Sequence, residues 1–221
     1  MYLRSLWSPS HIYLRWNTRK YTYVLGITLL VSDPIIVKGT RVLRPSEYLT
    51  LRNQLNEDQQ LVLDSLLLTG MRYEELLRFH DHPEWLNDGS IHLPAEAVLK
   101  GRAIKDPDDR QRWIRLSIKG KAVLAHLHRV SMPKRVAFDQ MLKRKGFKAI
   151  EASQGFNPTK ISAKSMRKTY TSWLRAYYPQ MSDYIFLSMG HSSRTELRHY
   201  LGIPFTDDDK RQMREWVEGW T

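Results

Sequence analysis

A change of periodicity at Pro45 limits what this chain can fold into more than any other feature of its sequence. Before it, basic and aromatic residues mix with two β-rich runs, 12–16 and 21–30, followed by Pro34 and Gly39. After it, apolar residues recur at helical spacing. In NEDQQLVLDSLLL, Leu63, Leu66 and Leu67 fall at helix spacing, Asn56 is placed to cap the first turn and Gly70 to stop the last. The same reading predicts helices over 73–79, 119–130, 134–145, 163–178 behind a Ser162 cap, 182–189, 193–201, and 207–217 behind a Thr206 cap. Strand-like stretches at 90–93, 97–99 and 112–117 interrupt them, with the turn-rich Lys105-Asp106-Pro107-Asp108-Asp109 before the last. The expected fold is mainly α with a small antiparallel β-sheet. Its parts are a short basic β-rich arm (1–45), a main domain (46–205) and a C-terminal helix (206–221) that docks on its own subunit or on a neighbour.

The formal net charge is +12, from 35 Lys and Arg against 23 Asp and Glu. Such an excess suits a polyanion, because basic side chains gain affinity from phosphate contacts and counterion release. Nucleic acid is the first candidate and an anionic membrane surface the second. The best apolar run, 23–32, stops at Asp33-Pro34, well short of the roughly 20 residues that span a bilayer, and reads as a buried strand. The opening MYLRSLWSPSH lacks the apolar segment of a signal peptide. With no cysteine, disulfides and thiolate metal sites are excluded, and a cytoplasmic setting is expected. The 8 histidines show no metal-ligand spacing; His80 and His82 read as surface residues at a loop.

Three segments carry chemistry-bearing residues. TGMRYEELLRF places Arg72 three residues before Glu75, KSMRKTYTSWL places Lys164 three before Arg167, and MGHSSRTELRHY places Tyr200 nine after His191. Taken singly, each has a plain explanation. Arg72 and Glu75 could be an exposed i,i+3 ion pair, the basic cluster a solvated helix start, and Gly190-His191-Ser192 a turn, while a tyrosine on a helix is usually a core or rim residue.

Their joint order, with the hairpin IKDPDDRQRWIRLS between the first two, resembles the tyrosine recombinase (phage integrase) family over about residues 46–205. The resemblance implies a tyrosine recombinase catalytic domain, with Arg72 and Arg167 on the scissile phosphate and Glu75 orienting Arg72. It also implies His191 bonded to the phosphate or positioning the tyrosine, and Tyr200 as the nucleophile. Lys105, with Lys100 as the alternative, would be the hairpin lysine that protonates the departing 5′ oxygen. Where the family has histidine in His-x-x-Arg, this chain has Lys164, which can donate to a phosphate oxygen but is no proton acceptor at neutral pH.

The implied activity is site-specific cutting and rejoining of double-stranded DNA through a 3′-phosphotyrosyl link. It needs no metal, ATP or other cofactor, and it is carried out by a dimer or tetramer on DNA. The compact form and Lys164 resemble divergent archaeal or viral integrases. Family members carry a helical DNA-clamping domain before the catalytic one, and residues 1–45 are too short and β-like for it. The chain is therefore expected to be a fragment, a short integrase that relies on another polypeptide, or a member with a reduced arm. Two other readings share the features: a catalytically silent DNA-binding protein and a type IB topoisomerase-like enzyme.

Overall fold

A computed structural model describes residues 23–24, 27–28, 33–98, 111–152, 156–190 and 202–220, with the side chains of 23, 24, 27, 28, 151 and 152 excepted. The described residues are mainly helical with small antiparallel sheets, as the periodicity implies. The central helix is α2 (Glu57–Thr69). Asn56 accepts from the Gln59 N–H at 2.9 Å, and the Gln59 side chain reaches back to the Asn56 N–H, so two orphan donors of the first turn are satisfied. Every residue from Val62 to Thr69 is buried, and Gly70 closes the helix in a left-handed conformation (φ 60°).

Around α2 pack α4 (Ile118–Leu127) and α6 (Ala163–Tyr177). Further out lie α1 (Pro45–Arg52), α3 (Tyr73–Asp81), α5 (Arg135–Ala152), α7 (Ser182–Met189) and α8 (Asp207–Val217). Two short strand pairs come first, β1 (Tyr23–Val24) with β2 (Ile27–Thr28) and β3 (Ile35–Val37) with β4 (Thr40–Val42). The remaining sheet has the order β5 (Leu86–Asn87), β6 (Ser90–Leu93), β7 (Arg112–Arg115). Its register sets Ile91 opposite Ile114 and Leu93 opposite Arg112, and α7 packs against β7.

The β3–β4 hairpin joins the helical body through α6. β4 lies along that helix, the Leu43 N–H donates to Thr169 Oγ1 at 3.0 Å, and Trp173 Nε1 donates to the Leu43 carbonyl at 2.9 Å. The C-terminal helix turns its apolar face into the same chain. Met213, Trp216, Val217 and Trp220 are at most 1% exposed, and Tyr48 meets the Trp216 ring edge-on at 5.0 Å. Arg44, at the start of α1, pairs with Asp209 of α8. The apolar stripe is thus spent within the subunit, and any intersubunit role for this helix would fall to its polar face.

Several local expectations are corrected. The stretch 97–99, expected as a strand, begins in a 3₁₀ turn (Ala95–Ala97) in which the Ala97 N–H bonds the Pro94 carbonyl at 3.0 Å; Leu99 lies outside the described residues. The run 23–32, expected as one strand, contributes two short ones paired with each other, and Gly26, which weakens strands, lies between them in sequence. Ser117, placed at a strand end, instead caps α4, accepting from the Gly120 N–H at 3.1 Å. Helix α5 runs past 145 through Gly146, where a Cβ would stand 2.9 Å from Pro158 Cβ; that glycine permits close packing rather than ending a helix. The expected elements at 12–16 and 193–201 lie outside the described residues.

Because Trp216 packs on Tyr48 and Trp173 in its own chain, Trp216→Ala should cost about 3–5 kcal/mol in urea unfolding, independent of protein concentration. A cost below about 1 kcal/mol would mean that α8 is not docked as described.

Candidate functional site

The first motif is shaped by backbone turns at both sides. Left-handed Gly70 ends α2, Thr69 Oγ1 accepts from the Met71 N–H at 3.2 Å, and Arg72 is the N-cap of α3. Glu75, at the third position of α3, accepts from the Arg72 N–H at 2.9 Å and from the Arg72 guanidinium. This is a capping box whose carboxylate also fixes a side chain. It differs from an ordinary exposed i,i+3 pair because Glu75 is fully buried, while about a quarter of the Arg72 side chain stays accessible.

A buried carboxylate needs more than one half-exposed partner. The second is Arg112 of β7, whose Nη2 donates to Glu75 Oε2 at 2.7 Å and whose Nη1 approaches Oε1 at 3.4 Å. Arg112 is itself buried, facing the core beside Ile114 and Leu116. Its role was missed in the sequence, yet the signal is there: in RWIRLS it shares strand parity with Ile114 and Leu116, so it points inward and requires an anion. Burial alone would raise the Glu75 carboxyl. The charge and hydrogen bonds of Arg112, with the charges of Arg72 and Arg167, outweigh it and hold the pKa down to about 2.

Arg167 of α6 completes the group. Its Nη1 donates to the Gly70 carbonyl at 2.7 Å and its Nη2 to the Met189 carbonyl at the end of α7. It therefore ties the turn before Arg72 to the turn before His191. Gly190 follows with φ 60°, and a Cβ there would stand 2.8 Å from Arg112 Nη1, so only glycine fits between that guanidinium and the chain. A Cβ at Gly70 would likewise overlap the Met189 thioether. Three guanidiniums around one carboxylate leave a net charge of +2 on this cluster.

Of the residues singled out from the sequence, Arg72, Glu75 and Arg167 are brought together. Lys164 is exposed in the first turn of α6, three residues before Arg167. Lys100, Lys105, His191 and Tyr200 lie outside the described residues. Several other tyrosines are unsuited to be nucleophiles. Tyr48 donates to Asp64 at 2.6 Å, Tyr73 to the Pro133 carbonyl at 2.6 Å and Tyr178 to the Val217 carbonyl at 3.2 Å, and burial pushes all three phenols up, as it does the fully buried Tyr170. His82 is exposed, whereas His80 is half-buried with Nε2 2.9 Å from the Val130 carbonyl. Among the described residues no helix is long and apolar enough to cross a membrane.

Comparison with known proteins gives no match to any family model, curated protein or solved structure.

The depressed Glu75 pKa makes a signed prediction. Because the folded value lies below the ordinary 4.5, the stabilisation is complete above about pH 4.5 and is lost as pH falls toward about 2. Glu75→Gln should therefore destabilise by on the order of 3 kcal/mol at pH 7, and the gap from wild type should narrow below pH 4.5. A gap that stays constant from pH 7 to 3 in thermal melts would refute the charged network.

Proposed function

We propose that this chain cleaves and rejoins double-stranded DNA through a tyrosine nucleophile, with the catalytic-domain fold of a tyrosine recombinase. The observation that carries the reading is the cluster of Arg72, Arg112 and Arg167 around the single buried carboxylate of Glu75. It leaves excess positive charge where the Gly70 turn and the Gly190 turn meet, and the second turn leads directly into His191.

On this reading Arg72, oriented by Glu75 and still partly accessible, holds the non-bridging oxygens of the scissile phosphate. A planar guanidinium that cannot deprotonate suits the charge that grows in a five-coordinate transition state. Arg167 adds its fixed positive charge beside that phosphate, and Lys164 and His191 donate to it. The Tyr200 oxygen attacks phosphorus in line, losing its proton to water or His191. The bond to the 5′ oxygen breaks as Lys105, or Lys100, supplies the proton for the leaving hydroxyl. Rejoining runs the same steps backward. The phosphodiester energy stays in the 3′-phosphotyrosyl bond, so no nucleotide is consumed, and assembly as a dimer or tetramer on DNA would pair the strands to be exchanged.

Lys164 in place of the family's histidine favours one competing reading, a DNA-binding protein that has lost the chemistry. A nicked suicide duplex separates the two. Incubated with a pool of duplexes or supercoiled plasmid, wild type should give a covalent protein–DNA adduct that survives denaturation. Tyr200→Phe should give none, and Arg72→Ala should reduce the yield about a hundredfold or more. Salt-sensitive binding with no adduct on any substrate would leave the silent reading standing.

A further inference from the structure

A second concentration of positive charge lies on the surface of α6, where the charges acting on Lys168 among the described residues are those of Lys164 and Lys38. Lys164 and Lys168 stand one turn apart on that helix, and Lys38 sits at the tip of the β3–β4 hairpin. Lys168 Nζ donates to the Val37 carbonyl at 2.6 Å, which anchors the hairpin tip against the helix. The backbone of Lys160 joins the same corner, its carbonyl accepting from the Arg41 N–H of β4 at 3.3 Å. Lys38, Lys160 and Lys164 are exposed.

The energetics run against such an arrangement in isolation. The half-buried Lys168 ammonium is lowered to about 8 by burial first, then by the like charges of Lys164 and Lys38. Lys38 (φ 44°) and Lys160 (φ 61°) both hold left-handed backbone, which disfavours any side chain relative to glycine. Lysines in left-handed backbone beside other lysines suit a bound anion, and among the described residues the charges that shift Lys168 are those of Lys164 and Lys38.

Resting on the proposed DNA reading, we infer that Lys38, Lys160 and Lys168 form a second phosphate-binding patch that grips the duplex backbone away from the scissile phosphate. Lys164, three residues before Arg167, makes the patch continuous with the arginine cluster. Successive phosphates of one strand would run from that cluster over α6 to the hairpin tip. The contacts are to phosphate alone, so the patch adds affinity and register without reading sequence.

The test uses Lys38→Gly/Lys160→Gly, which removes two charges while relieving two left-handed lysines, so its thermal stability should equal or exceed that of wild type. Lys143→Ala/Lys148→Ala, on the exposed side of α5, removes the same charge elsewhere. Anisotropy with a labelled random-sequence duplex over a KCl series reads the log–log salt slope. The patch variant should lose about 1.8 from that slope, at about 0.9 per phosphate contact, with equal weakening on unrelated sequences. The control should stay close to wild type. Equal losses in both variants would reduce the patch to net charge, and an unchanged slope in the patch variant would overturn it. So would binding to phosphatidylserine vesicles without binding to duplex. If the patch variant loses slope while wild type forms no adduct with the suicide duplex, the patch stands and the recombinase reading falls.

Discussion

The Glu75 carboxylate is the constraint on which the rest of the site depends. Taking a carboxylate out of water costs several kcal/mol unless its lone pairs and charge are met, and here they are met by groups from different parts of the chain. The Arg72 backbone and guanidinium come from the α2–α3 turn and Arg112 from β7, while Arg167 adds its charge from α6. None of these elements can shift without leaving a buried charge short of partners. On the proposed reading, the geometry that would meet a phosphate is therefore fixed by the folded protein beforehand, as electrostatic preorganisation requires.

Helix α6 is where this constraint meets the core. Its Thr169 and Trp173 bond both sides of Leu43, and Trp173 also packs with Trp216 of α8. Arg167, on another side, reaches the Gly70 and Met189 carbonyls. Lys164 and Lys168 remain toward the surface. One amphipathic helix thus joins the hairpin, the C-terminal helix and the arginine cluster. Damage to the aromatic core should be felt at the site through displacement of α6 rather than through any direct contact.

Much of this was legible in the sequence because helix ends carry their own chemistry. The Asn56 cap, the Gly70 stop, the Thr206 cap and the bounds of α7 and α8 follow from capping and spacing alone. What was illegible depended on tertiary neighbours. The helix expected over 134–145 runs on through Gly146, which packs against Pro158, and Ala97 reads as strand until the turn after Pro94 is seen. The Arg72–Glu75 spacing was visible, but its weight was not. An i,i+3 pair on a solvated face is worth a few tenths of a kcal/mol, and only the burial of Glu75 and the arrival of Arg112 from a distant strand make it an organising centre.

The lysine at position 164 bears on how the proposed chemistry would run. A histidine there could accept a proton near neutral pH; a lysine donates. A phenol of ordinary pKa near 10 then depends on stabilisation of its anion and on a proton acceptor other than residue 164. Three guanidiniums against one carboxylate supply a standing positive potential in a partly water-excluded setting, where such charges act more strongly than in bulk solvent. The excess charge organised by Glu75 and the replacement of histidine by Lys164 thus point to the same device. On the proposed reading, proton acceptance is traded for a cationic field, with His191 left as the neutral-pH acceptor among the residues named for the site.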